Sequence, residues 1–332
     1  MALSPREALF DVSESAPALP VCDHYSGVEA RMRKSLELQG ELGPVFDVTL
    51  DCEDGAPVGG EAEHAQLCAE LVMSAANRFG RVGARVHPVD HASFERDVDT
   101  LVRRAGARLA YLMVPKPRGL ADVQRAVDQI DHCIRIHGHG RDIPVHVLVE
   151  THGALCEVGA IAAHPRIESV SFGLMDFVSA HRGAIPASAM SAEGQFAHPL
   201  VLRAKLEIAA ACHAHAKVPS HCVVTEFKDL RALSAAATRA CREFGYTRMW
   251  SIHPDQVRSI VEAFAPSAAE TDLAIEILRA AQAAQWAPIR HRDTLHDRAS
   301  YRYFWQVVER ARRTGQPLPA ELRQAWFENA GA

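Results

Sequence analysis

Three acidic residues stand together after one short apolar run: Val45 to Leu50 leads into Asp51-Cys52-Glu53-Asp54-Gly55. A fourth carboxylate follows Val145 to Val149 in Glu150-Thr151-His152-Gly153, and a fifth follows Ile167 to Phe172 in Gly173-Leu174-Met175-Asp176. Other apolar runs end beside Arg85 and His87, Lys116 between two prolines, Glu226, and His253-Pro254. Taken singly, a polar residue in such a place is more often a helix cap or a solvated loop group than a catalytic one. Taken together, carboxylates gathered around one mouth repel one another and are costly without a cation. The donors are all oxygen, and no Cys/His pair stands at ligand spacing, so Mg²⁺ or Mn²⁺ is expected rather than zinc. Mg²⁺ commonly takes one or two protein carboxylates and leaves its other positions to water and substrate, which suits polarisation of an oxo acid.

For these residues to meet, the chain must bring the ends of several strands to one side. Apolar or β-branched runs alternate with longer helix-period stretches, the pattern of repeated βα units around a parallel sheet. The expected strands are Leu19 to Cys22, Val45 to Leu50, Ala84 to Val86, Leu109 to Val114, Val145 to Val149, Ile167 to Phe172, Cys222 to Thr225 and Met249 to Ile252. Helical runs separate them, near Val28 to Leu42, Glu61 to Phe79, Ser93 to Ala105, Leu120 to Arg135, Leu155 to His164, Leu200 to Ala216, Leu230 to Phe244 and Asp255 to Phe264. Eight such units predict an α/β fold, a (β/α)8 TIM barrel, whose active site lies at the C-terminal ends of the strands. After Pro266 the strand signal stops, and Ala268 to Ala284, Tyr301 to Arg313 and Pro319 to Phe327 are expected helices separated by a polar stretch containing Pro288. The expected organisation is a barrel over residues 1–265 and a C-terminal helical extension over residues 266–332.

Composition narrows the function classes. The chain has 332 residues, 48% of them hydrophobic and 23% charged, with a net charge of −5, enough for one large core and without the one-signed field that attracts nucleic acid or an anionic bilayer. The first residues lack a basic leader followed by an apolar core, and no apolar run approaches the roughly 20 residues of a membrane span, so the cytoplasm is the expected location. The eight cysteines are scattered, with no C-x-x-C pair, and are expected to be small core residues. Cys212-His213-Ala214-His215 with His221-Cys222 superficially resembles a zinc cluster but lacks the paired spacings of zinc sites. Cys212 and His215 fall at a helix end and Cys222 at the expected start of a strand, so a buried cysteine beside solvated histidines is expected. No G-x-G-x-x-G, Walker A or G-x-S-x-G segment follows a strand, which removes the dinucleotide, P-loop and serine-hydrolase readings.

The polar strand ends carry a family resemblance. Leu50-Asp51-Cys52-Glu53-Asp54 resembles the L-D-L-E-D segment of the citrate lyase β-subunit and malyl-CoA lyase group within the HpcH/HpaI aldolases. Arg85-Val86-His87-Pro88 is similar to its R-[IV]-N-P segment and Val114-Pro115-Lys116 to the segment with its strand-four lysine. Val149-Glu150-Thr151, Phe172-Gly173-Leu174-Met175-Asp176-Phe177 and Ile252-His253-Pro254-Asp255-Gln256-Val257 resemble its I-E-T, F-G-x-x-D-[LF] and I-H-P-x-Q-[IV] segments, in the same order. The resemblance implies that Glu150 and Asp176 bind Mg²⁺ and that Arg85 touches a substrate carboxylate or developing enolate. It further implies that Glu53 and Asp54 hold metal-bound waters, with Lys116 joining them as a catalytic candidate. It implies a lyase that cleaves or forms a 3-hydroxyacyl-CoA of the malyl or citramalyl type with a 2-oxo acid, and a homo-oligomer, often a trimer or hexamer. The chain departs from the pattern in three places: His152 stands where the family often has arginine, the first strand lacks an arginine-led opening, and the region from Asp293 through Trp305 does not match the usual lid. An aldolase for free hydroxy-oxo acids, and a non-catalytic subunit of a larger complex, remain open as alternatives.

Overall fold

The structure, a computed structural model, describes residues 3–11 and 17–328. A short helix, α1 (Pro5–Leu9), precedes eight strands: β1 (Cys22–Ser26), β2 (Phe46–Asp51), β3 (Val82–Arg85), β4 (Leu112–Val114), β5 (Val145–Val149), β6 (Ile167–Phe172), β7 (Val218–His221) and β8 (Arg248–Ser251). All pair in parallel with their sequence neighbours, and β8 returns to β1 through Cys22 opposite Met249, closing the barrel. The connecting helices are α2 (Glu29–Leu42), α3 (Glu61–Met73), α4 (Phe94–Ala105), α5 (Leu120–Ile136), α6 (His152–Cys156), α7 (Val158–Ala163), α8 (Leu174–Ser179), α9 (Pro199–Ala214), α10 (Leu230–Arg242) and α11 (Pro254–Phe264). The expected TIM barrel is therefore what the chain forms. Among the described residues, no helix is long and apolar enough to cross a membrane.

Two strands lie elsewhere than expected, each for a physical reason. β1 begins at Cys22 rather than Leu19, because Pro20 has no N–H to give a ladder. Its polar residues meet partners inside the barrel: Asp23 faces Arg248 at 3.1 Å and accepts from Thr49 at 2.7 Å, and His24 Nδ1 lies 3.0 Å from Ser251 Oγ. β7 is Val218–His221, not Cys222 to Thr225 as expected. Cys222 follows that strand instead of opening it. Pro219, Ser220 and His221 hid the strand from a reading based on apolar runs, yet Ser220 and His221 are wholly buried.

The buried end of β7 is part of an ionisable network. Lys205 of α9 lies 2.7 Å from Gln195 Oε1 and 2.8 Å from His221 Nε2, with its ammonium 3.7 Å from the centre of the Phe196 ring. Burial lowers the Lys205 pKa to about 8, and burial followed by the Lys205 charge drives His221 well below its usual range, so the neutral imidazole accepts. A lysine whose folded pKa is below its unfolded value of 10.5 takes up a proton on unfolding between these two pH values. Below the folded pKa both states carry the proton and the desolvation penalty is fully felt; it is relieved as pH rises through the window. Relative to Lys205→Met, the wild type is therefore expected to gain up to about 3 kcal/mol of unfolding free energy between pH 7 and pH 10.5. Denaturant titrations across that range check this, and parallel pH profiles would refute it.

After the barrel come α12 (Ala268–Ala283), a hairpin of β9 (Ile289–His291) and β10 (Thr294–His296), α13 (Arg298–Arg313) and α14 (Ala320–Arg323), the last running into one π-helical turn, Gln324–Glu328. The hairpin lies in the polar stretch expected between the helices. Arg292 and Asp293 turn it with φ of 44° and 64°, the paired left-handed conformation of a tight two-residue connection. Tyr301, Trp305, Val308, Ile277, Leu278 and Trp326 form a separate helical core that takes in Leu9 of α1. Among the described residues, the compact units are 17–263 and, together, 3–11 and 264–328.

Candidate active site

Because the barrel strands are parallel, the residues ending β2, β3, β4, β5 and β6 all arrive at one rim. A cleft of about 200 Å³ opens there, lined by Arg85, Asp54, Glu150 and Asp176 together with Tyr25, Trp250 and Phe172. Met113, Leu148 and Trp250 form a buried apolar cluster, with Tyr25 and Val223 packed against it. Polar groups at this rim thus stand above an apolar floor, where charge interactions are stronger than in water.

Asp51 and Arg85 are register partners at the ends of β2 and β3, which puts their side chains on one face. The guanidinium donates from Nε to Asp51 Oδ1 at 2.7 Å and from Nη2 to Asp51 Oδ2 at 2.5 Å, while Nη1 lies 3.0 Å from Glu53 Oε2. Its carbon is 5.3 Å from the Tyr25 ring centre and 6.0 Å from that of Trp250. Burial disfavours the charge, but the Asp51 and Glu53 carboxylates outweigh it and raise the Arg85 pKa. Asp51 also accepts from the Glu53 and Gly55 amides at 3.0 and 2.7 Å. A Cβ on Gly55 would stand 2.3 Å from Asp51 Oδ2, so the acidic turn closes on glycine.

Lys116 follows β4 with a left-handed backbone, φ 51°. Its amide donates to Glu150 Oε1 at 2.8 Å, while its ammonium lies 2.5 Å from Glu53 Oε1, 2.6 Å from Asp54 Oδ2 and 3.7 Å from Asp176 Oδ1. Lys116 thereby ties the β2 turn to the segment after β6. Partial burial works against both charges, yet the Lys116 contact holds Asp54 below the usual carboxylate range, and Asp54, Glu53 and Asp176 raise the lysine.

Glu150 is 2% exposed. Burial pushes its pKa well up, and the Asp176 and Glu53 carboxylates add to the effect while Arg85 partly offsets it. A Cβ on Gly173 would stand 2.3 Å from Glu150 Oε2, so the glycine leaves room for this carboxylate. A desolvated carboxylate facing further carboxylates across one cleft fits a divalent cation: the donor set is all oxygen, and added positive charge would relieve the unfavourable ionisation of Glu150.

The six candidate residues Glu53, Asp54, Arg85, Lys116, Glu150 and Asp176 therefore come together, through the cleft or through Lys116. Other polar strand ends do not join them. His87 lies 2.5 Å from Asp97 of α4 and stacks on His91, Glu226 accepts from the Ala192 amide, and His152 packs beside Phe177 and His181. Sequence reasoning overlooked Asp51 as the holder of Arg85, although an acid and an arginine ending consecutive parallel strands was the available signal. Nothing in the sequence pointed to Tyr25 or Trp250. The zinc-like stretch does not assemble: Cys212 is buried, His213 contacts the Gly245 carbonyl at 2.7 Å, and Cys222 lies 3.0 Å from Gln195 Oε1. Among the described residues, the cysteines and histidine that do converge are Cys52, His64 and Cys68, a set the sequence reading missed when it found no Cys/His pair at ligand spacing.

Residues 46–254 match the family described as HpcH/HpaI aldolase/citrate lyase. An L-malyl-CoA/beta-methylmalyl-CoA lyase of Cereibacter sphaeroides is 31% identical over 249 residues, covering 72% of this chain and 77% of the relative. A crystal structure described as a citrate lyase from Burkholderia xenovorans is 56% identical with a TM-score of 0.84, covering 98% of this chain and 100% of that one. The protein CitE of Mycobacterium tuberculosis, solved with magnesium, acetoacetate and coenzyme A, shares the fold at 18% identity with a TM-score of 0.66, covering 90% of this chain and 99% of that one.

Proposed function

The chain belongs to the HpcH/HpaI aldolase/citrate lyase family, and from that membership we propose that it is a carbon–carbon lyase that cleaves or forms a 3-hydroxyacyl-CoA, of malyl or citramalyl type, with a 2-oxo acid as the second partner. The observation that carries this reading is Arg85, locked by Asp51 and Glu53 on the wall of the cleft that Glu150 and Asp176 also line. Glu150 and Asp176 would hold Mg²⁺, or Mn²⁺, with Glu53 and Asp54 toward its waters. When bound, the metal supplies Lewis-acid polarisation of the oxo-acid carbonyl.

The chain's own residues do the rest. A guanidinium has five N–H donors; the hydrogen bonds to Asp51 engage two, and Nη1 meets Glu53 as an ion pair, leaving donors for a substrate oxygen. A donor fixed in this way offsets charge developing on an enolate without reorganising at the moment of reaction. Phe172, Leu148 and Trp250 keep water from one side of the reacting carbons. A second cleft, of about 610 Å³, adjoins at Tyr25, which lines both, and is bounded by Arg31, Phe227 and His253. That space suits the long carrier of a thioester whose acyl end lies beside Arg85, and Arg31 offers a cation to its phosphates.

Acetyl-CoA or propionyl-CoA incubated with glyoxylate and Mg²⁺ is expected to give a 3-hydroxyacyl-CoA. Its mass should equal the sum of the two reactants, because the addition loses nothing. Mass spectrometry of the mixture detects it. Failure across several acyl-CoAs and 2-oxo acids, with cleavage of a free hydroxy-oxo acid under the same conditions, would replace the thioester with the free-acid aldolase.

A further inference from the structure

Asp51 and Glu53 both turn to Arg85, but Cys52 between them turns to α3. Its sulfur lies 3.7 Å from that of Cys68. His64 stands one turn before Cys68 on the same helix face. One donor atom from each of the three residues lies within 4.8 Å of the others. His64 Nε2 is 2.9 Å from the Asp51 carbonyl oxygen, and a backbone carbonyl on one ring nitrogen is the usual means of orienting an imidazole that ligates through the other. Both cysteines are buried and His64 is half-buried, so the cluster has one side within reach of water.

We propose that Cys52, His64 and Cys68 form a second metal site, apart from the carboxylate cleft, for a thiophilic divalent cation of the Zn²⁺ class, with water completing the coordination. The sulfur separation supports it. Two thiolates bound tetrahedrally at about 2.3 Å stand about 3.8 Å apart, which is the spacing present, whereas a disulfide would draw them together by roughly 1.7 Å. Charge selects the class of ion. Two thiolates and a neutral imidazole around a divalent cation sum to zero, the condition under which a buried ionic group is tolerated, while a monovalent ion would leave a buried negative charge. On binding, the two thiol S–H bonds give way to two metal–sulfur bonds and both protons pass to solvent; nothing is oxidised or reduced. A bound ion would clamp α3 to the turn that grips Arg85. Cys52 stands where the resembled family segment has leucine, so the site belongs to this chain's own residues.

The test uses the full chain, freed of metals by chelation and kept reduced, with excess Mg²⁺ present to occupy the carboxylate cleft. Titration with Co²⁺ is expected to produce a near-ultraviolet thiolate-to-cobalt charge-transfer band that saturates at one equivalent, releases two protons per ion and is bleached by Zn²⁺. Cys52→Leu, which keeps the position apolar, should abolish the band. His64→Ala, at a half-buried position, should weaken Co²⁺ binding at least tenfold; thermal unfolding verifies that both variants are folded. The site is overturned by a reduced protein that gives no band at excess Co²⁺, by a band that persists unchanged in the folded Cys52→Leu variant, or by a Cys52–Cys68 disulfide recovered by mass spectrometry from protein handled without oxidant.

Discussion

Glu150→Gln and Asp176→Asn are each expected to abolish Mg²⁺-dependent turnover, by more than about 10³-fold, while the protein remains folded. Each amide preserves shape and removes the charge that would attract the cation. Glu150 makes the result diagnostic. Its carboxylate is buried, opposed by Asp176 and Glu53, and seated where Gly173 leaves space, so ionising it is unfavourable to the metal-free fold. A neutral amide of the same size relieves that, and the melting temperature of the Gln variant without metal should match or exceed that of the wild type. A structural carboxylate would show the opposite, with stability falling while turnover survived. Steady-state rates over a Mg²⁺ titration, paired with calorimetric metal binding, measure both quantities. Wild-type activity and metal affinity in both variants would remove Glu150 and Asp176 from the metal site.

Arg85→Lys should lower kcat/KM by on the order of 10² to 10³, the loss typical of one preorganised oxyanion donor. Lysine retains the charge but not the planar fork, so it cannot grip Asp51 at two points and still present donors to a substrate. The structure adds a stability effect to what the sequence suggested. Asp51 is wholly buried and Arg85 nearly so, and breaking a buried pair outright costs about 3–5 kcal/mol. Lysine, which can make one of the contacts, should lose less than that. Kinetics are therefore compared at a temperature where both proteins are folded by circular dichroism. Normal kinetics with a sharply reduced melting temperature would mark Arg85 as a structural salt-bridge residue.

The strand-end pattern was legible because of how a parallel barrel is built. Every strand of such a barrel delivers its C-terminal residue to the same rim, so Asp51, Arg85, Glu150 and Asp176 could be placed at one mouth from the apolar runs before them. The amphipathic helices and the run of C-terminal helices were equally visible in the hydrophobic period, which reports which face of an element meets the core. β1 and β7 were not visible in the same way. Asp23, His24, Ser220 and His221 are polar yet buried, and Arg248 and Ser251, which face Asp23 and His24, lie more than two hundred residues along the chain. Apolar runs mark strands that meet a hydrophobic layer; they say nothing of strands that bury polar side chains inside a barrel. The same limit separates composition from geometry at the site. The sequence determined that carboxylates, an arginine and a lysine would crowd one rim. Tertiary structure alone decided that Asp51 grips Arg85 through strand register, that Lys116 spans from Glu53 and Asp54 to Asp176, and that Cys52 turns from the rim to meet His64 and Cys68. Each of these depends on the direction of a side chain across two packed elements, which sequence spacing does not encode.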